Sequence, residues 1–136
     1  MPVTFSTREL RDLLAAWLAL GLAFALFLER SAAFAIATSP GPEPVAVFAS
    51  VLFRSLVTVG VGFLLHELAH KVVAVRFGQV AEFRADYGML GLAIASGLAG
   101  FLFAAPGAVH HRGRITPREN GLIALAGPVT NIGLAA

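Results

Sequence analysis

His66, Glu67 and His70 stand in the pattern H-E-x-x-H within "LLHELAHKVVAVRFG" (Leu64–Gly78), one of the most apolar stretches of the chain. On a helix, residues i and i+4 share a face, so both imidazoles can bind one metal ion. Glu67 lies about 100° round the helix from His66. It can therefore reach a water at the metal without ligating the metal itself. A zinc ion lowers the pKa of such a water, and Glu67 can take the proton and return it to a departing amine. Two neutral imidazoles leave the zinc its charge and Lewis acidity, and the non-ligating carboxylate handles the proton. The set suits metal-assisted hydrolysis.

The setting sharpens this. "LVTVGVGFLL" (Leu56–Leu65) carries no charge, and "VVAV" follows Lys71. Ionisable residues inside a membrane helix point to function, because polar groups are expensive in hydrocarbon. The competing reading is an interfacial helix on which His66, Glu67 and His70 are merely solvated. Lys71 and Arg76 have stems long enough to snorkel and are expected to be interfacial anchors.

An open catalytic zinc site needs a third protein ligand. The downstream candidates are Glu82, Asp86, His110, His111 and Glu119. Asp86 could fold back, but it also reads as a loop charge facing Arg84. His110 and His111 are adjacent, so on a strand they point to opposite faces and at most one would ligate. They read more readily as surface histidines beside a basic turn.

The elements that must position these residues are largely apolar. The chain has 136 residues, 57% hydrophobic and 13% charged, against nearer a half and a quarter in ordinary soluble domains. A membrane protein fits better than an Ala-rich soluble helical domain. The net charge of +2 comes from scattered basic residues with no aromatic interleaving, so nucleic acid is not an expected partner. With no cysteine, disulfides and thiolate metal sites are excluded.

"LLAAWLALGLAFALFL" (Leu13–Leu28) is charge-free and, extended through Glu29 and Arg30, long enough for a first, uncleaved span. Ser6 and Glu9 suggest a capping box at its start. "SPGPEP" (Ser39–Pro44) breaks the chain, and a second apolar stretch runs from Val45 to a stop at Gly78. Gln79–Asp86 reads as a loop or short strand. Tyr87–Gly107 is apolar and glycine-rich, either a third span or a re-entrant element. Arg112–Arg118 forms a basic cluster. A spanning Tyr87–Gly107 would put that cluster outside, against the positive-inside rule, so the re-entrant form is preferred. Thr116, Pro117 and Glu119 mark the start of another helix. Within it, Gly127-Pro128-Val129-Thr130-Asn131 combines a helix bend with a side-chain amide that needs a partner, on a neighbouring helix or an extended peptide.

With both elements placed, the chain resembles the site-2 proteases, intramembrane zinc metalloproteases. H-E-x-x-H in a membrane helix is matched by His66, Glu67 and His70. An A-G-P-x-x-N element at a later span is matched by Ala126, Gly127, Pro128 and Asn131. The resemblance covers roughly Leu56 to Ala136. It implies a membrane-associated β-hairpin between the motifs, for which Phe101–Thr116 is the counterpart. It also implies a third zinc ligand, an aspartate in an N-P-x-P-type stretch, which this sequence does not contain. The expectation is an N-terminal fragment whose own zinc site is incomplete.

The expected fold is an all-α membrane protein: polytopic transmembrane helices with a short membrane-associated β-hairpin or re-entrant element. One metalloprotease domain is expected over 1–136, with spans near 11–37, 45–77, 88–107 (re-entrant or spanning) and 118–136. The implied activity is that of a zinc metalloendopeptidase cleaving transmembrane substrates in regulated intramembrane proteolysis. Glu67 would be catalytic, and His66 and His70 would be ligands of Zn2+. The partners would be a transmembrane protein substrate and the lipid bilayer, and the location a prokaryotic cell membrane, multi-pass. The alternative is a catalytically inactive relative that binds a membrane partner without cleaving it. A membrane di-iron oxygenase is disfavoured, since that family needs many more than the four histidines present.

Overall fold

The computed structural model describes residues 2–136. Helix α1 (Thr7–Leu28) leads into the short α2 (Arg30–Thr38), followed by the long α3 (Pro42–Arg76). Strand β1 (Val80–Ala85), helix α4 (Tyr87–Ala99), strand β2 (Gly107–Arg112) and helix α5 (Pro117–Ala135) complete the chain. α1 packs against both α3 and α4, and α5 packs along α3. α1 and α3 are long and apolar enough to cross a membrane by length and composition. Their outward faces are greasy: Phe53 is 70% exposed, and Leu14, Leu18, Val57 and Val61 are exposed too.

The expected single first helix breaks at Glu29, whose backbone (φ −125, ψ 52) leaves the helical region. Arg30 then turns back, and its Nε donates to the Leu98 carbonyl at the end of α4 at 2.6 Å. This side chain satisfies a carbonyl that the end of α4 leaves without an intrahelical partner. Phe77 caps the end of α3, and Gly78 follows in the left-handed region at φ +77, as a helix stop should. Asp86 caps α4, accepting from the Met89 N–H at 3.0 Å. α5 opens with a complete capping box, Thr116 and Glu119 each accepting the other's backbone N–H at 3.1 Å.

The two strands pair antiparallel, from Val80↔Arg112 to Ala85↔Gly107, with α4 inserted between them. This differs from the local hairpin expected in Phe101–Thr116. The Asp86 N–H still donates to the Pro106 carbonyl at 3.0 Å. The chain therefore leaves into α4 and returns to β2 at one place.

Two acids of α1 hold this sheet. Ser6 accepts the Glu9 N–H at 3.0 Å, but the Glu9 carboxylate does not complete the expected capping box. It pairs instead with Lys71 and accepts the Phe83 N–H at 2.6 Å. Asp12 accepts the Ala85 N–H at 3.1 Å and the Tyr87 hydroxyl at 2.7 Å. The outer edge of β1 is thus capped by carboxylates at i and i+3 of a helix. Phe83, 1% exposed, packs edge-on to Phe63 and into a core with Ala16, Leu20 and Leu90.

Lys71 is 3% exposed and therefore is not the snorkelling anchor expected of it. Removing one partner of a buried ion pair strands the other charge. Lys71→Met should lower the unfolding free energy by about 3–5 kcal/mol, seen as a lower thermal midpoint in detergent. An unchanged midpoint would mean that the pair does not tie α1 to α3.

Candidate metal centre

Helical periodicity sets His66 and His70 one above the other on α3. Their Nε2 atoms lie 3.1 Å apart, with ring centroids 4.7 Å apart and planes at 78°. Two nitrogens held at ~2.0–2.1 Å by one tetrahedral zinc ion stand about 3.3 Å apart, so the pair fits such an ion. Glu67, 7% exposed, lines the same cavity, and its Oε2 is buried with no hydrogen-bond partner among the described residues. An unpartnered buried carboxylate oxygen is costly unless something outside the chain's own groups completes it. Two converging imidazoles beside an available carboxylate suit a divalent cation and an activated water.

α5 supplies the other side of the site through one face. The Ile123 carbonyl is 2.7 Å from His70 Nδ1, so that nitrogen donates and Nε2 keeps its lone pair. Asn131 reaches His66 Nδ1 at 3.0 Å. Gly127, midway between, gives the rings room: a Cβ there would fall 2.5 Å from His66 Nε2 and closer still to His70 Nε2. Residues 123, 127 and 131 recur every four residues, so a single stripe of α5 carries acceptor, gap and amide. Pro128 lacks the N–H that would bond the Ala124 carbonyl, and Ala124 lines the cavity.

The cavity, about 310 Å3, is closed on its third side by β2 through Gly107, Ala108, Val109 and His111. The register tells which backbone groups of β2 lie on its unpaired edge. The N–H groups of Phe83 and Ala85 are taken by α1, so the pairs Phe83↔Val109 and Ala85↔Gly107 are the non-hydrogen-bonded ones. The peptide groups of Gly107, Val109 and His111 consequently point off the free edge of β2.

Of the further ligand candidates, His111 lines this cavity, whereas His110 sits opposite Glu82 in the register and lines two other surface cavities. Asp86 is occupied as a helix cap, Glu119 in its capping box and Glu82 as acceptor of the Ser6 hydroxyl at 3.1 Å. Among the described residues, no three His, Cys, Asp or Glu side chains gather closely enough to hold a metal. Sequence reasoning expected an exposed strand edge within Phe101–Val109 that could hold an extended peptide, but it missed Ile123, which acts through its backbone, and the pairing of β2 with the distant β1. For Asn131 it saw the need for a partner, but not that the partner is His66.

No family model matches the sequence, and no solved structure matches it. A protein of Methanocaldococcus jannaschii named "Putative zinc metalloprotease" is 51% identical over 87 residues, which are 62% of this chain and 46% of that protein. The chain spans about half the length of the curated relative it matches, and what it resembles there is a zinc metalloprotease by name.

Proposed function

We propose that this chain carries the histidine–glutamate part of a zinc metalloendopeptidase that works inside the membrane on transmembrane protein substrates. The observation that carries the reading is the convergence of His66 and His70 Nε2 at 3.1 Å beside the partnerless Oε2 of Glu67. The similarity to a protein named as a zinc metalloprotease supports the same chemistry.

Zinc held by His66 and His70 would supply Lewis acidity and a more acidic water. Glu67 would take the proton from that water and later deliver it to the leaving amine. Ile123 and Asn131 would keep the two rings in place. α1 and α3 would embed the site in the bilayer of a multi-pass protein, with their exposed apolar faces towards lipid. The α4 segment, which starts and returns at the β1–β2 sheet, would enter the membrane and come back on the same side.

A transmembrane substrate hides its carbonyls in intrahelical bonds and must unwind before attack. The free edge of β2 would hold the unwound segment as an added strand, since main-chain hydrogen bonds give such recognition its affinity. Val109→Pro removes an edge N–H without breaking a ladder bond. It should raise KM for a transmembrane substrate more than Val109→Ala, which loses the same packing against the core but keeps the N–H, with zinc content alike in both. A KM equal to that of Val109→Ala would remove β2 as the docking edge.

The reading as a whole is tested with the full-length protein and a transmembrane substrate in detergent or proteoliposomes. Zinc-dependent cleavage that disappears in His66→Ala and His70→Ala is expected. Cleavage that persists in both variants would overturn it.

A further inference from the structure

The contact between Asn131 and His66 has two self-consistent hydrogen-bond arrangements, and only one of them can hold a metal. In the structure the amide nitrogen Nδ2 faces His66 Nδ1 at 3.0 Å. An amide nitrogen only donates, so Nδ1 there accepts and the ring proton sits on Nε2. That Nε2–H then faces His70 Nε2 at 3.1 Å, whose lone pair is free because His70 Nδ1 donates to the Ile123 carbonyl. The result is a closed chain, Asn131 to His66 to His70 to Ile123, in which the two rings satisfy each other. A half-turn of the amide exchanges Nδ2 for Oδ1. The oxygen accepts from a proton on His66 Nδ1, and both Nε2 lone pairs then point at one place.

We propose that Asn131 is a positioning residue that selects the His66 tautomer, so that metal binding and a flip of its side-chain amide are one coupled step. This rests on the reading of His66 and His70 as metal ligands and goes beyond it. The physical basis is general: the hydrogen bond at one imidazole nitrogen decides which nitrogen is free to ligate. The two α5 contacts are unequal in kind. The Ile123 backbone carbonyl can only accept, which fixes His70 permanently in the ligating tautomer. The Asn131 amide can donate or accept, which leaves His66 switchable. Gly127 between them lets α5 approach closely enough for both contacts to reach the rings.

Substitution separates this from a packing role. Aspartate is close to isosteric with asparagine but, ionised, only accepts. Asn131→Asp should therefore bind zinc at least as tightly as the parent. Asn131→Leu, of similar bulk without an acceptor, should weaken zinc binding about 10–100-fold.

The experiment is zinc affinity by competition with a chromophoric chelator, on the full-length protein and its variants in detergent. It is joined by 15N shifts of His66 in the parent before and after zinc is added. The expected results are retention in Asn131→Asp, loss in Asn131→Leu, and a move of the His66 proton from Nε2 to Nδ1 on binding. A loss in Asn131→Asp as large as in Asn131→Leu, parental affinity in Asn131→Leu, or a His66 proton that stays on one nitrogen throughout would each overturn the proposal. The parent's 15N shifts decide it even where a variant does not fold. His66→Ala is the control. If it leaves zinc affinity unchanged, the metal reading itself fails; if it lowers affinity while Asn131→Leu does not, only the tautomer proposal fails.

Discussion

Glu67→Gln should abolish peptide cleavage while zinc stays bound. The substitution keeps shape and bulk and removes the one property the chemistry needs, a carboxylate able to take a proton. General acid–base groups contribute ~10²–10⁴-fold to rate, and Glu67 would serve in two proton transfers, so a loss at the upper end is expected. Stability should change little, because Glu67 Oε2 has no hydrogen-bond partner to lose. Zinc should remain because the His66 and His70 rings are positioned from α5, through Ile123 and Asn131, and not by Glu67. Cleavage assays and metal analysis on the same preparation check both halves. Retained proteolysis in Glu67→Gln would remove the residue from the catalytic role.

The second large effect is expected at Gly127. In an isolated helix Gly→Ala favours the helix by about 0.8–1.0 kcal/mol, so local propensity predicts a gain in stability. The tertiary contact predicts the opposite for the site. The new methyl would sit 2.5 Å from His66 Nε2 and 2.7 Å from His66 Cδ2. Neither ring can simply swing away, since each is tied to α5 through its Nδ1. α5 would have to back off from α3, losing both contacts together. Gly127→Ala should weaken zinc binding by about 10–100-fold, the range seen when outer-shell partners are lost. Gly127→Val should do so more severely. Parental zinc affinity in both would show that α5 does not need to approach the rings.

What could be read directly from the sequence was local and periodic. His66 and His70 share a helical face because they are four apart, and nothing else in the fold has to be known to place them together. The start of α5 was equally legible, since Thr116, Pro117 and Glu119 form a cap from neighbours alone. Long-range choices were not legible. Ser6 and Glu9 fit a capping box, yet a buried pairing with Lys71 and the Phe83 N–H, 62 and 74 residues away in sequence, won the Glu9 carboxylate. Lys71 looked like a snorkelling anchor because nothing in its own helix reveals that α1 brings it a counter-charge. The strand pairing was hidden for the same reason. β1 and β2 are separated by an apolar helix that resembles a span, and their register depends on Asp86 and Pro106 meeting behind it. The Glu29 break is the remaining case: an apolar helix interrupted by two charges continues or kinks according to what Arg30 finds, and here it finds the end of α4.

X-ray absorption at the zinc edge, on the full-length protein and on His66→Ala, His70→Ala and Glu67→Gln, shows whether the two imidazoles hold the metal. Bound zinc with two imidazole nitrogens at about 2.0–2.1 Å, lost in either histidine variant and kept in Glu67→Gln, is expected. A parent protein that binds no zinc, or zinc whose imidazole signal survives both histidine substitutions, would contradict it.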